Sequence, residues 1–312
     1  MDKIIFFHMN QLGDLLFSLP VLKAVRQELN VKICSVVRST LAPLLLSSNL
    51  VDAIIPKNGN FIKNIETIGK EKFDKAILFS ESPSSLILAY FGKIKVRVGF
   101  ETSPLSFLLN RKIKRFGVPS LFNNRKLGFS VGLKVIQGDY VGILNVPESN
   151  LNNAKKWFRE NNLDVEKTIA ISPGASRKRQ DKCLEDDKWV KVIDTLSQYG
   201  LKCILSGATW ESGLLNRIAE KCKVPTRIFV ASKGILDSAA FLKMCNLFVG
   251  IDSGAMHLAA AVGTRCVGMF GYTDPLQTGP MPIGRHIIIK RNEISKITLE
   301  DIISEVRNCR LE

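Results

Sequence analysis

Residues 247–275, LFVGIDSGAMHLAAAVGTRCVGMFGYTDP, constrain the fold more than any other stretch of the chain. The apolar run 247–251 has the length and composition of a buried strand. Asp252-Ser253-Gly254 interrupts it, a small-residue amphipathic segment over 255–262 follows, and Gly263 stands where a C′ glycine ends a helix. A second apolar run, 266–271, reads as the next strand. Strand, tight turn, helix and strand make a βαβ unit, with Ser253 placed as the helix N-cap. The N–H groups of Gly254, Ala255 and Met256 then point out of the helix start, backed by the positive end of its dipole. Such a place binds a phosphate. Taken alone, the same residues also describe an ordinary βα turn.

The rest of the chain repeats this alternation. In the first half, strand signals at 3–7, 31–37, 53–56, 75–80 and 95–100 alternate with helical spacing at 15–29, 40–46, 61–68 and 82–91. The rhythm breaks over 137–150, QGDYVGILNVPESN, which mixes turn formers with few helix signals. It resumes with helices at 151–161, 189–199, 212–223 and 236–245, strands at 168–172, 201–206 and 227–231, and a closing helix at 297–309. The pattern predicts an α/β protein with two domains, 1–147 and 148–312. Each is a doubly wound, Rossmann-like half, and their switch-point crevices are expected to face each other across a cleft.

With 46% hydrophobic and 23% charged residues, the 312-residue chain is of the globular class. Its long uncharged stretches, such as 39–51 and 82–92, fall short of the ~18 residues that span a bilayer. The chain opens on a strand, MDKIIFF, with no basic-then-apolar leader, so a cytoplasmic location is expected. Seven cysteines, an odd number without C-x-x-C spacing, fit reduced buried thiols, and three histidines argue against a His-rich metal centre. Forty-four Lys and Arg against 29 Asp and Glu leave a net charge of +15. Such a field attracts nucleic acid, anionic membrane or phosphorylated substrates.

Four turns carry residues suited to chemistry. The first, His8-Met9-Asn10-Gln11-Leu12-Gly13-Asp14, places a carboxylate at a helix start, where it either serves the reaction or merely favours the dipole. It holds neither G-x-G-x-x-G nor G-x-x-x-x-G-K-[ST], which removes the main support for dinucleotide-binding and P-loop readings. Three turns of the second half, Pro173-Gly174-Ala175-Ser176, Gly207-Ala208-Thr209-Trp210-Glu211 and Asp252-Ser253-Gly254, follow predicted parallel strands. That is the edge where α/β proteins bind ligands. The basic run Arg177-Lys178-Arg179 and then Lys182 follow the first of them. A lysine with the helix start suits a diphosphate, and Glu211 suits ribose hydroxyls.

These residues reach a resemblance. HMNQLGDLLFSLPVLKAVRQ resembles the N-terminal signature of the family 9 glycosyltransferases, the lipopolysaccharide heptosyltransferases. PGASRKRQDKCLEDDKW is similar to their Pro-Gly-Ala…Lys segment, and GIDSGAMHLAAAVGTRCVGMFGYTDP to their Asp-[Ser/Thr]-Gly-x-x-His motif followed by a Thr-Asp-Pro turn. The resemblance implies a GT-B fold, with acceptor mostly on the first domain and nucleotide sugar mostly on the second. It implies Asp14 as the catalytic base, with His8, Asn10 and Gly13 on the acceptor side. On the donor side it implies Lys182 and the backbone of Ser253 and Gly254 around the diphosphate, Glu211 at the adenosine ribose, Asp252 and His257 lining the donor pocket, and Ser176 as a further donor-binding residue. Lys178 and Arg179 stand as alternatives to Lys182, because two extra residues separate Ala175 from Lys182. Family members usually carry Arg or Lys where this chain has His8, often Ser or Thr for Asn10, and a His where Asn123 or Asn124 stands.

The activity implied is inverting transfer of a heptose from ADP-heptose to the lipopolysaccharide inner core, either a lipid A–Kdo acceptor or a heptosylated core. No cofactor is implied, and without an Asp-x-Asp pair no metal is expected. Transient contact with the anionic inner leaflet is expected through residues 93–115, where RKIKR lies beside apolar 105–109. The competing readings are a transferase for another nucleotide sugar and a sugar-nucleotide epimerase. A basic nucleic-acid-binding protein ranks below these, because its charge is spread over both halves without a recognition signature.

Overall fold

The structure, a computed structural model, describes residues 1–57, 59–117, 119–176 and 179–311. The chain divides into two compact units, Met1–Asn145 and Val146–Glu312. The division falls two residues before the boundary read from the sequence.

In the first unit, strands β1 (Lys3–Phe7), β2 (Lys32–Val37), β3 (Ala53–Pro56), β4 (Lys75–Leu78), β5 (Val96–Phe100) and β6 (Arg111–Ile113) alternate with helices. The helices are α1 (Leu12–Leu16), α2 (Leu19–Glu28), α3 (Ala42–Ser47), α4 (Phe61–Glu71), α5 (Pro83–Phe91) and α6 (Ser120–Ser130). The second unit opens with α7 (Glu148–Glu160) and β7 (Thr168–Ser172). It continues through α8 (Asp186–Gln198), β8 (Lys202–Gly207), α9 (Ser212–Lys221), β9 (Arg227–Val230), α10 (Ile235–Met244) and β10 (Leu247–Ile251). It closes with α11 (Gly254–Ala261), β11 (Arg265–Phe270), α12 (Pro275–Thr278), β12 (Ile287–Lys290) and α13 (Leu299–Leu311).

Among the described residues the strands form two six-stranded parallel sheets, ordered β3-β2-β1-β4-β5-β6 and β12-β11-β10-β7-β8-β9. Both orders are the Rossmann order, with strand direction of travel reversing between β1 and β4 and between β7 and β10. Those central strands are apolar over most of their length because helices cover both faces. TIAIS and LFVGI are buried at every position. The first core gathers Ile5, Phe7, Val36, Leu78 and Leu86, and the second Ile171, Trp189, Val192, Val249 and Val267.

Two departures from the sequence reading have local causes. The helix expected over 15–29 is two helices, α1 and α2, separated at Phe17 and Ser18. Pro20 has no N–H to give the carbonyl of Leu16, so a continuous helix would lose that bond and meet the proline ring. Strand β6 and helix α6 were not expected. β6 is a three-residue edge strand, RKI, with no apolar run, and α6 buries Asn123 and Asn124 alongside its leucines, which blurs its stripe. No helix among the described residues is long and apolar enough to cross a membrane.

Candidate functional site

In the second unit the chemistry collects at the β7/β10 switch point. β10 stops where Asp252 replaces the apolar run, and the Asp252 N–H donates to the Met269 carbonyl at 2.9 Å, tying this turn to β11. The Asp252 carboxylate is buried. One of its oxygens accepts from both the Lys182 ammonium and the Thr273 hydroxyl, the latter at 2.8 Å. Lys182 ends a single 3₁₀ turn, Gln180–Lys182, and its side chain is 14% exposed against 8% for Asp252. The turns after β7, β10 and β11 are therefore joined through one carboxylate. Removing either partner of such a pair would strand a buried charge, a loss of about 3–5 kcal/mol.

Read from the sequence, Lys182 and Asp252 have separate duties, whereas the fold pairs them across 70 residues. Of the two alternatives to Lys182, Lys178 lies outside the described residues. Arg179 has its guanidinium 5.3 Å from the Tyr272 ring centre and 3.6 Å from Asp181. In the sequence Thr273 stands out only as part of a turn motif. That turn is made by Asp274, whose carboxylate accepts the Leu276 N–H at 2.9 Å and caps α12 ahead of Pro275.

Ser253 occupies the N-cap position of α11, but its hydroxyl bonds no first-turn N–H. Its Oγ is buried without a hydrogen-bond partner among the described residues. Gly254, the first residue of α11, follows it. His257, expected to line the donor pocket, is only 4% exposed. Burial takes its pKa down to about 4 against the pull of Asp252, and its ring bonds the Thr278 backbone.

Glu211 ends the 3₁₀ turn Thr209–Glu211 after β8, and its carboxylate accepts the Ala208 N–H at 2.7 Å. A Cβ at Gly174 would lie 1.9 Å from Oε1, and one at Gly207 would lie 2.9 Å from Oε2. Two glycines from different turns thus make the seat for this carboxylate, and burial raises its pKa. Ser176 is exposed, and its carbonyl accepts the Arg179 N–H at 2.8 Å.

In the first unit, Asn10 is exposed at the carboxyl edge, while Gly13 and Asp14 are half-buried in α1. His8 corrects the sequence reading. It is fully buried, with Nδ1 3.0 Å from Ser18 Oγ and Nε2 3.0 Å from Ser35 Oγ. Ser18 gives its only proton to the Leu15 carbonyl at 2.6 Å, so Nδ1–H must be the donor and Nε2 the acceptor. A ring enclosed in this way cannot touch an acceptor. Burial first, and the nearby Lys57 charge second, lower its pKa from 6.5 to about 3.

Neutral buried histidines set a pH dependence. His8 and His257 titrate at about 3 and about 4 when folded, against 6.5 otherwise, so below pH 6.5 the unfolded chain binds more protons. Stability therefore rises with pH through this window and is lost on acidification, by up to about 1.4 kcal/mol per pH unit for each group. Urea midpoints at pH 5 and pH 7 should differ in that sense, and His8→Gln should flatten the difference.

A family model described as glycosyltransferase family 9 (heptosyltransferase) matches residues 61–303. The chain belongs to glycosyltransferase family 9. The match begins after the Asp14 turn and takes in every candidate residue of the second unit. Lipopolysaccharide heptosyltransferase 3 of Escherichia coli is 23% identical over 279 residues, covering 84% of this chain and 81% of that protein. Among solved structures, a family 9 glycosyl transferase from Veillonella parvula superposes with a TM-score of 0.87 at 17% identity, covering 99% of this chain and 97% of that one. The E. coli ADP-heptose lps heptosyltransferase II gives 0.84 at 19% identity, with 99% and 98% covered. The family 9 chain is thus a glycosyltransferase of the GT-B fold, built from two Rossmann-like units.

Proposed function

We propose that this family 9 enzyme is an inverting heptosyltransferase that moves a heptose from ADP-heptose to the lipopolysaccharide inner core. The observation that carries the donor half is the Lys182–Asp252 pair beside the uncapped start of α11 at the β7/β10 switch point. A diphosphate needs cations and N–H donors, and both are present there. The relatives named for ADP-heptose and for lipopolysaccharide support the choice of sugar nucleotide and acceptor class.

In this reading the diphosphate accepts from Lys182 and from the amides that follow Ser253, and Glu211 accepts from ribose hydroxyls. Ser176 lies on the turn after β7 that leads to Lys182. As the glycosidic bond to the diphosphate breaks, negative charge grows on the departing ADP and is met by Lys182 and the helix start. Protein cations rather than a metal ion do this work. The acceptor hydroxyl forms the new bond from the opposite face of the sugar and gives its proton to Asp14. One displacement with one base inverts the anomeric centre.

Thermal unfolding in the presence of ADP-, UDP- and GDP-sugars tests the donor. At about 100 times its Kd a ligand stabilises by roughly 2.7 kcal/mol. A shift with ADP-heptose and none with the others is expected; a larger shift with a UDP- or GDP-sugar would overturn the choice.

We also propose that the first unit touches anionic lipid along β5, β6 and their neighbouring helices. Exposed Tyr90, Phe91, Phe107, Phe116 and Phe129 stand among Arg97, Arg125 and Lys126, which lie over aromatic rings. Aromatic rings interleaved with cations suit an interface of apolar chains and anionic headgroups. Co-sedimentation with liposomes should grow with anionic lipid and fall with salt; binding indifferent to both would remove the idea.

A further inference from the structure

Lys57 follows β3, the edge strand of the first sheet, and its backbone N–H is pinned to the Val37 carbonyl at 2.8 Å. Its side chain crosses the carboxyl ends of two neighbouring strands. The ammonium donates to the His8 carbonyl at 2.7 Å, just past β1, and to Ser80 Oγ at 3.2 Å, just past β4. That places a positive charge at the β1/β4 switch point, the position in this unit that Lys182 occupies in the other.

No carboxylate pairs with this ammonium among the described residues. Glu81, beside Ser80, is turned to Arg115 at 2.5 Å, and the neighbouring His8 is neutral. The partners Lys57 does have are a carbonyl and a hydroxyl, both uncharged, and they use two of its three N–H donors. Burial alone lowers its pKa to about 8. A half-buried cation without a counter-charge costs stability, and an anionic ligand removes that cost. Ser80 continues outward as a chain of hydroxyls, with Ser82 Oγ 2.9 Å from Ser80 Oγ and 3.2 Å from that of exposed Ser84.

We propose that Lys57, with the Ser80 and Ser82 hydroxyls, is an anion subsite for a phosphate or carboxylate carried by the acceptor. The inference rests on the acceptor reading above, and it assigns the acceptor's charge to a named group on the carboxyl edge that also carries Asp14. A charged hydrogen bond of this kind changes binding by about 10–100-fold.

The test compares the wild-type enzyme with Lys57→Gln, which keeps a donor for the His8 carbonyl but loses the charge, and with Lys57→Met. Steady-state transfer and calorimetric acceptor binding are measured with a lipid A–Kdo acceptor. Parallel arms use the same acceptor after removal of its phosphates or after reduction of its Kdo carboxylate. Both variants should raise acceptor KM about 10–100-fold with donor Kd unchanged. The gap between wild type and Lys57→Gln should close in whichever arm lacks the recognised anion, which names it. A Lys57→Gln enzyme with wild-type KM, or one that loses kcat at unchanged KM, overturns the subsite. The latter would mean that the side chain only braces the turn. If the wild type binds the acceptor without transferring heptose, the functional reading fails while the subsite stands; if the wild type binds no acceptor at all, both fail.

Discussion

Asp14→Asn is expected to lower heptosyl transfer by about 10²–10⁴ while leaving donor affinity within about twofold. The substitution keeps the size of the side chain and removes its negative charge together with its capacity to take a proton. Donor affinity should survive because the candidate donor residues Lys182, Glu211, Asp252 and Gly254 all belong to the second unit. The scaffold behind Asp14 should survive as well. The turn before α1 rests on the His8 bonds to Ser18 and Ser35, and Ser18 in turn bonds Leu15 beside Asp14. Single-turnover transfer with saturating ADP-heptose, together with a donor Kd from calorimetry, separates these effects. An enzyme that turns over normally would remove Asp14 as base. One that loses donor binding as well would assign it a different task.

What the sequence made legible was whatever lies in a contiguous run. The apolar stretches ending in Pro173, Gly207 and Asp252 announced three strand ends, and all three lie at the carboxyl edge of one sheet. Contacts between distant turns were not legible. Nothing local marks Gly174 and Gly207 as the seat of the Glu211 carboxylate, because the three come together only when β7 and β8 pair. The Lys182–Asp252 bond is hidden in the same way, since each residue alone is an unremarkable loop charge. His8 was misread for the converse reason. A polar residue at a strand end suggests a site, and the serines that enclose it lie 10 and 27 residues away. The departure at position 8 is nonetheless a real signal: the ring there is neutral, and the ammonium of Lys57 reaches the His8 carbonyl.

Lys182→Met should damage both catalysis and stability, and the two losses can be pulled apart. Removing a cation that meets developing charge on a leaving group typically costs about 10²–10³ in kcat. The same change leaves the buried Asp252 carboxylate with only Thr273 among the described residues, so the folded state should also lose about 3–5 kcal/mol. Adding Asp252→Asn to Lys182→Met removes the stranded charge. The double variant should therefore recover most of the lost urea stability and none of the lost transfer rate. Asp252→Asn alone should retain more activity than Lys182→Met, because it frees the ammonium to meet the diphosphate directly. Urea unfolding and single-turnover transfer on the three variants decide the matter. Were the double variant to regain transfer along with stability, Lys182 would be a structural partner of Asp252 and the charge on the leaving diphosphate would have to be met by another group.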